Sequence, residues 1–477
     1  MKINPLIFRG YDIRGIDGED LDDKKVEAIG KSYGTFLRRR KIRQAVVGRD
    51  CRLSGKAYQD AFTKGLTAIG VDVIDLGMVM TQMVYYAQYR YQTNGAAMIT
   101  ASHNPHNFNG FKLGVGYSKT TEMDEVMEIK SNVENDTYFK SERIGTVTKK
   151  NVREDYISDI LKRVSIKKKF KVVVDFRHGT PGAFMPEILE RAGCKVKCYQ
   201  ETPDGSFPGG TPDPTHEAFM RELGKYVLKE KADLGLAFDG DGDRIGLVDE
   251  KGNILWNDIL VAIFSMEILG RFPKSKMVYN TLCSQVVKKV IEQNGGTAIM
   301  WRTGHAYMKN KIAEENAAFG GELSGHFFFR DNAFGHDDGS YAALRLLEFL
   351  SEKKTSLSRI YESFPKYFSS PEIKIGCPDD KKVNVIKDLS VKFKKDFPDA
   401  AIIDDRTIPG DDGTRADFED GMIIFRYSQN GPYITIKFEA RDKKTYDERK
   451  KYVKKMLEGY PDMIWKDQLC VNLDSLN

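Results

Sequence analysis

"KVVVDFRHGTPGAFMPEILERAGCKVKCYQ", residues 171–200, decides the fold. It opens on a β-branched run, Val172 to Val174, breaks at a polar turn holding Gly179 and Pro181, and continues into an amphipathic stretch that Gly193 closes. A second short run, Lys195 to Tyr199, completes it. β-Branched runs fit a pleated, buried surface, and glycine just past a helix supplies the left-handed residue that ends it. Strand, helix and strand in that order make a βαβ unit, which implies a sheet covered by helices. The plan recurs twice. "QAVVGRD" (44–50) leads through a helical stretch to "AIGVDVIDLG" (68–77), and "KMVYNTLCSQVVKKVIEQNGGTAIMWRTG" (276–304) repeats it. Recurrence near 45, 172 and 277 predicts three related α/β domains. From about 370 the pattern changes: "PEIKIG", "AIIDDRTIPGDDGTRADF", "GMIIFRYS" and "YITIKFEA" read as strands and turns, followed by the charged helix "TYDERKKYVKKMLEG", a smaller α+β domain.

At 477 residues the chain exceeds one core, and at ~100–200 residues per domain length alone suggests three or four. A polar segment beginning at Lys140 marks a first boundary, and the domains are expected at 1–146, 147–250, 251–365 and 366–477. The balance of 74 basic against 69 acidic residues, net +5, is interspersed. A nucleic-acid binder concentrates basic residues in a stripe, so that class is excluded, while a mild positive excess suits a small anionic substrate. Cys194 and Cys198 lack a second pair at zinc spacing and read as core. The opening "MKINPLIFRGYD" has no signal-like apolar core, and no apolar run approaches the ~20 residues that span a bilayer. With six scattered thiols, the expectation is a cytoplasmic protein with no membrane or nucleic-acid partner.

The strongest chemical signal is "LGLAFDGDGDRIGLVDE" (234–250), where Asp239, Asp241 and Asp243 alternate with glycines after an apolar run. Carboxylates so close repel unless a cation neutralises them, and hard oxygen ligands point to Mg²⁺. The alternatives are a solvated acidic turn without metal and an EF-hand loop; against the latter, Glu250 falls at its twelfth position, but the sixth is Arg244 rather than glycine, and the flanks read as strands. "MITASHNPHNFNGFK" (98–112) ends a buried-looking strand in a polar turn with Ser102 and His103 at its tip. Such a turn either satisfies its own backbone or presents a nucleophile. A Ser–His hydrolase is not expected, since adjacent residues in such a turn rarely form a nucleophile–base pair and the G-x-S-x-G elbow is missing. In "GGELSGHFFF" (320–329), Glu322, Ser324 and His326 alternate and share one face of an extended loop. They could grip vicinal sugar hydroxyls, or Glu322 could cap a neighbouring element.

Together "TASHNPHNFNGFK", "DGDGDR", "GELSGH" (321–326) and "FRGYDIRG" (8–15) resemble the α-D-phosphohexomutase superfamily, in its phosphomannomutase/phosphoglucomutase branch, in order from residue 8 to about 440. The resemblance implies an α/β fold, with three related α/β domains of mixed sheets plus a C-terminal α+β domain around a central cleft. It makes Ser102 a phosphoserine whose phosphate completes the Mg²⁺ site of Asp239, Asp241 and Asp243. Arg244, His103 and Asn104 then contact phosphate oxygens or orient the loop, and Lys112, Arg14 and His326 are candidates for proton transfer. Tyr11, in its polar setting, is expected to touch ligand. Glu322 and Ser324 lie in the sugar-specificity loop; Arg302 stands where relatives often carry lysine, and His305 either faces sugar or caps a helix. "RYSQNGPY" (426–433) matches the phosphate-binding loop, with Arg426, Ser428 and Gln429 as contacts and Asn430 where threonine is usual. The implied reaction is reversible phosphoryl transfer between the 1- and 6-positions of mannose or glucose phosphates. A hexose 1,6-bisphosphate serves as intermediate and activator. Two alternatives are phosphoglucosamine mutase, whose branch tends to carry Gln in place of Leu323, and a non-catalytic metal- or sugar-phosphate-binding relative.

Overall fold

The structure is a computed structural model describing residues 2–477. It divides into two compact units: one holds the chain up to Asp213 with Leu236–Ile245 and Asn332–Glu352, the other holds Pro214–Gly235, Gly246–Asp331 and Lys353–Asn477. All three expected βαβ units form. Strand Gln44–Arg49, helix Gly55–Ala68 and parallel strand Asp72–Met78 make the first. Lys171–Asp175, helix Met185–Arg191 and Lys195–Tyr199 make the second, and Lys276–Asn280, helix Gln285–Gln293 and Thr297–Trp301 the third, each with parallel strands.

In the first unit the main sheet is mixed. Gln44–Arg49 pairs in parallel with Gly95–Ile99, which runs antiparallel to Phe108–Gly116, which in turn runs antiparallel to Asp12–Ile16. The turn "TASHNPHN" is therefore the loop of a β-hairpin, and the strand returning from it places Lys112 opposite both Met98 and Asp12. What holds this hairpin is helix Asp23–Arg39, capped by Asp22, whose side chain accepts from Lys25 N–H. Its buried Val26, Ile29, Tyr33, Phe36 and Leu37 recur at helical spacing and form one stripe. Burying each large apolar side chain stabilises by about 1.5–3 kcal/mol. Tyr33 also pins the two hairpin strands: its hydroxyl accepts from Ala96 N–H at 3.0 Å and has Ala96 O and Gly114 O as acceptors in reach of its one proton. Phe62 stacks on Phe111, next to Lys112, with centroids 5.0 Å apart.

The first boundary needs correction. Val147–Lys149, just past the expected end at 146, pairs in parallel with Asp72–Met78 and closes the first sheet. All three residues of this edge strand are exposed, so it lacks the apolar signature by which strands are recognised.

In the second unit, Phe319–Gly321 lies parallel to Lys276–Asn280 and antiparallel to Phe327–Phe329, so residues 322–326 are a hairpin turn at a sheet edge. The tail forms an antiparallel sheet in which Gly413–Phe418, Gly421–Tyr427 and Tyr433–Ala440 are consecutive neighbours. Helix Lys443–Glu458 follows as expected. A second helix, Asp379–Asp396, was not anticipated: its lysines and aspartates mask an apolar stripe of Val385, Ile386, Leu389 and Phe393 that enters the core of this sheet. No helix among the described residues is long and apolar enough to cross a membrane.

Candidate active site

The first unit brings the Ser102 turn against the acidic loop. Ser102 is fully buried and adopts a left-handed backbone, φ 51°. Its Oγ donates to Asp239 Oδ2 at 2.6 Å. This approach depends on glycine: a Cβ on Gly240 would sit 2.6 Å from Ser102 O, and Gly242 turns the loop with φ +83°. Asp239 Oδ1 accepts from the N–H groups of Gly242 (3.0 Å) and Arg244 (3.2 Å), wrapping the loop around its own carboxylate.

Candidate ligand oxygens of Asp239, Asp241 and Asp243 lie within 4.8 Å of one another, and all three residues are buried. Asp241 Oδ2 accepts from Thr81 Oγ1 at 2.7 Å, at the N-terminus of helix Thr81–Tyr91, and from Lys112 Nζ at 2.8 Å. Lys112 also pairs with Asp243. Burial, reinforced by Asp241 and Asp243, pushes the Asp239 carboxyl well above its usual range. Burial acts the same way on Asp241, but Lys112 outweighs it and holds Asp241 low. Asp241 Oδ1 is buried with no hydrogen-bond partner. A compact, all-oxygen, multiply anionic donor set with an orphaned carboxylate oxygen fits Mg²⁺.

Adjacent residues in such a turn rarely form a nucleophile–base pair, yet here Ser102 Oγ lies 3.0 Å from His103 Nδ1. In extended chain neighbouring side chains point apart, and the left-handed turn at Ser102 removes that alternation. Arg14 is buried, donating to Asp12 Oδ2 (2.8 Å) and to Asn104 Oδ1 (3.0 Å), so it braces the turn. Arg244 Nε lies 3.9 Å from Asp239 Oδ2, and Tyr11 is buried in the same unit.

The second unit gathers the other predicted residues. Glu322 Oε1 accepts from Gly304 N–H at 2.8 Å, just ahead of helix His305–Glu314, so the carboxylate does cap a neighbouring element. His305, the first residue of that helix, has its ring 5.5 Å from that of His326; both are buried, while Ser324 at the turn is half-buried. Arg302 lies over the Tyr307 ring, 3.5 Å from its centroid, and donates to Gly410 O at 3.3 Å. In the 426–433 loop Arg426 presents its fork to Asp412, with contacts of 2.8 and 2.5 Å. Gln429 donates to the same carboxylate at 3.0 Å and accepts from Tyr307 O–H at 2.9 Å. Ser428 Oγ accepts from Asn430 N–H at 3.0 Å. Sequence reasoning missed Asp412, although the acidic pair in "GDDGTR" was its available signal, and missed Thr81, for which no local signal exists.

Three family models match: phosphoglucomutase/phosphomannomutase α/β/α domain I at residues 5–140, domain II at 154–252 and domain III at 256–368. The chain is 36% identical to a phosphomannomutase/phosphoglucomutase of Pseudomonas putida over 91% of each sequence. It is 34% identical to a phosphoglucomutase of Neisseria meningitidis over 96% of this chain and 98% of that one. The crystal structure of a phosphoglucomutase/phosphomannomutase family protein from Burkholderia thailandensis matches with a TM-score of 0.86 at 30% identity, covering 96% of this chain and 98% of its own. With the serine turn set on the three-aspartate loop and the matches running through most of the sequence, the chain belongs to the phosphoglucomutase/phosphomannomutase family.

Proposed function

We propose that the protein is a phosphohexose mutase, an isomerase of carbohydrate metabolism that moves a phosphoryl group between the 1- and 6-positions of mannose or glucose phosphates. The observation that carries this reading is Ser102 Oγ, 2.6 Å from Asp239 in the three-aspartate cluster. Phospho-Ser102 donates its phosphoryl group to a sugar hydroxyl. The P–Oγ bond breaks, a P–O bond to the sugar forms, and the hydroxyl proton ends on Oγ, with Lys112, Arg14 and His326 as candidates to carry it. The resulting hexose 1,6-bisphosphate returns its other phosphate to Ser102, and the same bisphosphate primes the enzyme. Asp239, Asp241 and Asp243 are the residues to hold Mg²⁺, which when bound supplies charge neutralisation at the transferring phosphate. The segment ending with strand Val147–Lys149 carries the serine, the stretch from there to 250 the aspartates, 251–365 the sugar loop and 366–477 the phosphate loop.

In the phosphate loop, Arg426 exchanges the carboxylate fork of Asp412 for the substrate's non-reacting phosphate, and Ser428, Gln429 and Asn430 add donors. Arg426→Ala is expected to raise KM by about 10- to 100-fold with little change in kcat. A charge-assisted contact is worth about 1.5–3 kcal/mol and is made equally in ground and transition states. Asn430→Thr should be mild. Steady-state kinetics checks both, and an unchanged KM in Arg426→Ala would refute the assignment.

The sugar prediction follows from the grip. If Glu322 and Ser324 hold the 3- and 4-hydroxyls, as the family resemblance implies, they read features common to glucose and mannose. The two differ only at C2, which the end-for-end turn of the bisphosphate relocates. Discrimination is expected within about 1.4 kcal/mol, or about tenfold in kcat/KM. N-Acetylglucosamine 1-phosphate, with a bulky C2 amide, should be far poorer. Measuring kcat/KM for glucose, mannose, glucosamine and N-acetylglucosamine 1-phosphates under one Mg²⁺ and bisphosphate regime tests this. Glucosamine 1-phosphate turning over best would reassign the enzyme as a phosphoglucosamine mutase, and no turnover of any would leave a binding protein.

A further inference from the structure

One buried guanidinium holds the whole Ser102 turn. The Arg52 side chain is completely buried, and each of its five N–H donors has an acceptor. Nη1 donates to Pro105 O (2.7 Å) and Phe108 O (2.8 Å). Nη2 donates to Ser102 O (2.9 Å) and Asn104 O (2.7 Å), and Nε to Asp50 Oδ2 at 3.2 Å. Four carbonyls of one turn thus converge on one planar cation. Asp50 ties in the other side of Ser102. Its Oδ2 accepts from Thr100 Oγ1 at 2.6 Å, and Thr100 Oγ1 accepts from Ser102 N–H at 2.8 Å. Asp50 Oδ1 accepts from Arg52 N–H at 2.9 Å, which closes the clasp. Both the N–H and the C=O of Ser102 are therefore held by Asp50, Arg52 and Thr100.

Ser102 needs such holding. A non-glycine residue in the left-handed region is sparsely populated and persists only where its surroundings over-determine it. The turn also has little room to drift, because Ser102 O already packs on Gly240 of the aspartate loop.

We propose that Arg52 is a positioning residue for phosphoryl transfer: it fixes the Ser102 backbone, and through it the direction of Oγ toward Asp239, while touching no reacting atom. The inference rests on Ser102 being the phosphoryl carrier. Lysine keeps the charge, but its three donors on one nitrogen cannot span four carbonyls and a carboxylate that a planar fork reaches. A misplacement of about 1 Å at a reacting group costs on the order of 10²-fold in rate.

The test is single-turnover transfer. Wild type, Arg52→Lys and Thr100→Val are loaded with glucose 1,6-bisphosphate and Mg²⁺, phospho-Ser102 is quantified by intact mass, and transfer to glucose 1-phosphate is timed. The rate constant is measured per phosphorylated molecule, so a partly unfolded sample loses amplitude but not rate. Arg52→Lys is expected to transfer about 100-fold more slowly and Thr100→Val about tenfold more slowly, with KM within about threefold of wild type. A wild-type rate constant in Arg52→Lys, with loss only of amplitude or thermal stability, would overturn the proposal. If Arg52→Lys does not fold, Thr100→Val decides, and a wild-type rate constant there overturns it equally. A wild type carrying no phosphate on Ser102 would instead defeat the assignment of Ser102 itself.

Discussion

Ser102→Ala is expected to lose at least ~10³-fold in kcat, because it removes the proposed covalent nucleophile rather than a contact. Intact mass of the wild type should show a phosphorylated fraction that the variant lacks, and incubation with a hexose 1,6-bisphosphate should raise that fraction in the wild type alone. The fold is expected to survive. Ser102 is held mainly through its backbone, by Thr100 Oγ1 and Arg52, and the alanine loses only the side-chain contacts to Asp239 and His103. An unchanged melting temperature with activity gone would separate chemistry from stability. Full activity in the variant would remove Ser102 from the mechanism, and with it the reading of the three-aspartate loop as a phosphate-facing metal site.

Asp241→Asn is the second large effect. Asp241 faces both ways: Oδ2 takes hydrogen bonds from Thr81 and Lys112, and Oδ1 is buried with no hydrogen-bond partner. The amide keeps the shape and removes one of three anionic charges from the proposed Mg²⁺ site. Activity at limiting Mg²⁺ should fall by about 10²-fold and recover in part at high Mg²⁺. The binding readout is independent of turnover. A ligand that binds only the native state at ~100 times its Kd stabilises by about 2.7 kcal/mol, so Mg²⁺ should raise the melting temperature of the wild type. The shift should be much smaller in Asp241→Asn. An equal shift in both proteins would place Mg²⁺ elsewhere.

The sequence by itself determined what is local. The run Val172 to Val174, the stripe that ends at Gly193 and their counterparts near 45 and 277 specify strands and helices over windows of a few residues, and all three βαβ units form. The motif residues were legible for a related reason: alternating aspartates and glycines state their chemistry within six positions. The elements that escaped, helix Asp379–Asp396 and edge strand Val147–Lys149, are those whose charge or exposure blurs the apolar period.

Tertiary structure decided the partners. Ser102 meets Asp239 across 137 positions, Lys112 meets Asp241 across 129, and Arg52 reaches the Ser102 carbonyl across 50. It also decided that Arg426 faces Asp412, that Glu322 bonds Gly304 N–H, and that Ser102 and His103 touch. Period and turn chemistry act through neighbours along the chain. A buried hydrogen bond is selected by which donors the packed strands and loops bring within about 3 Å of an acceptor that water no longer reaches. Arg52 shows the difference most plainly: in sequence it is one arginine in "GRDCRLSG", and only the folded turn supplies the four carbonyls that give its guanidinium a role.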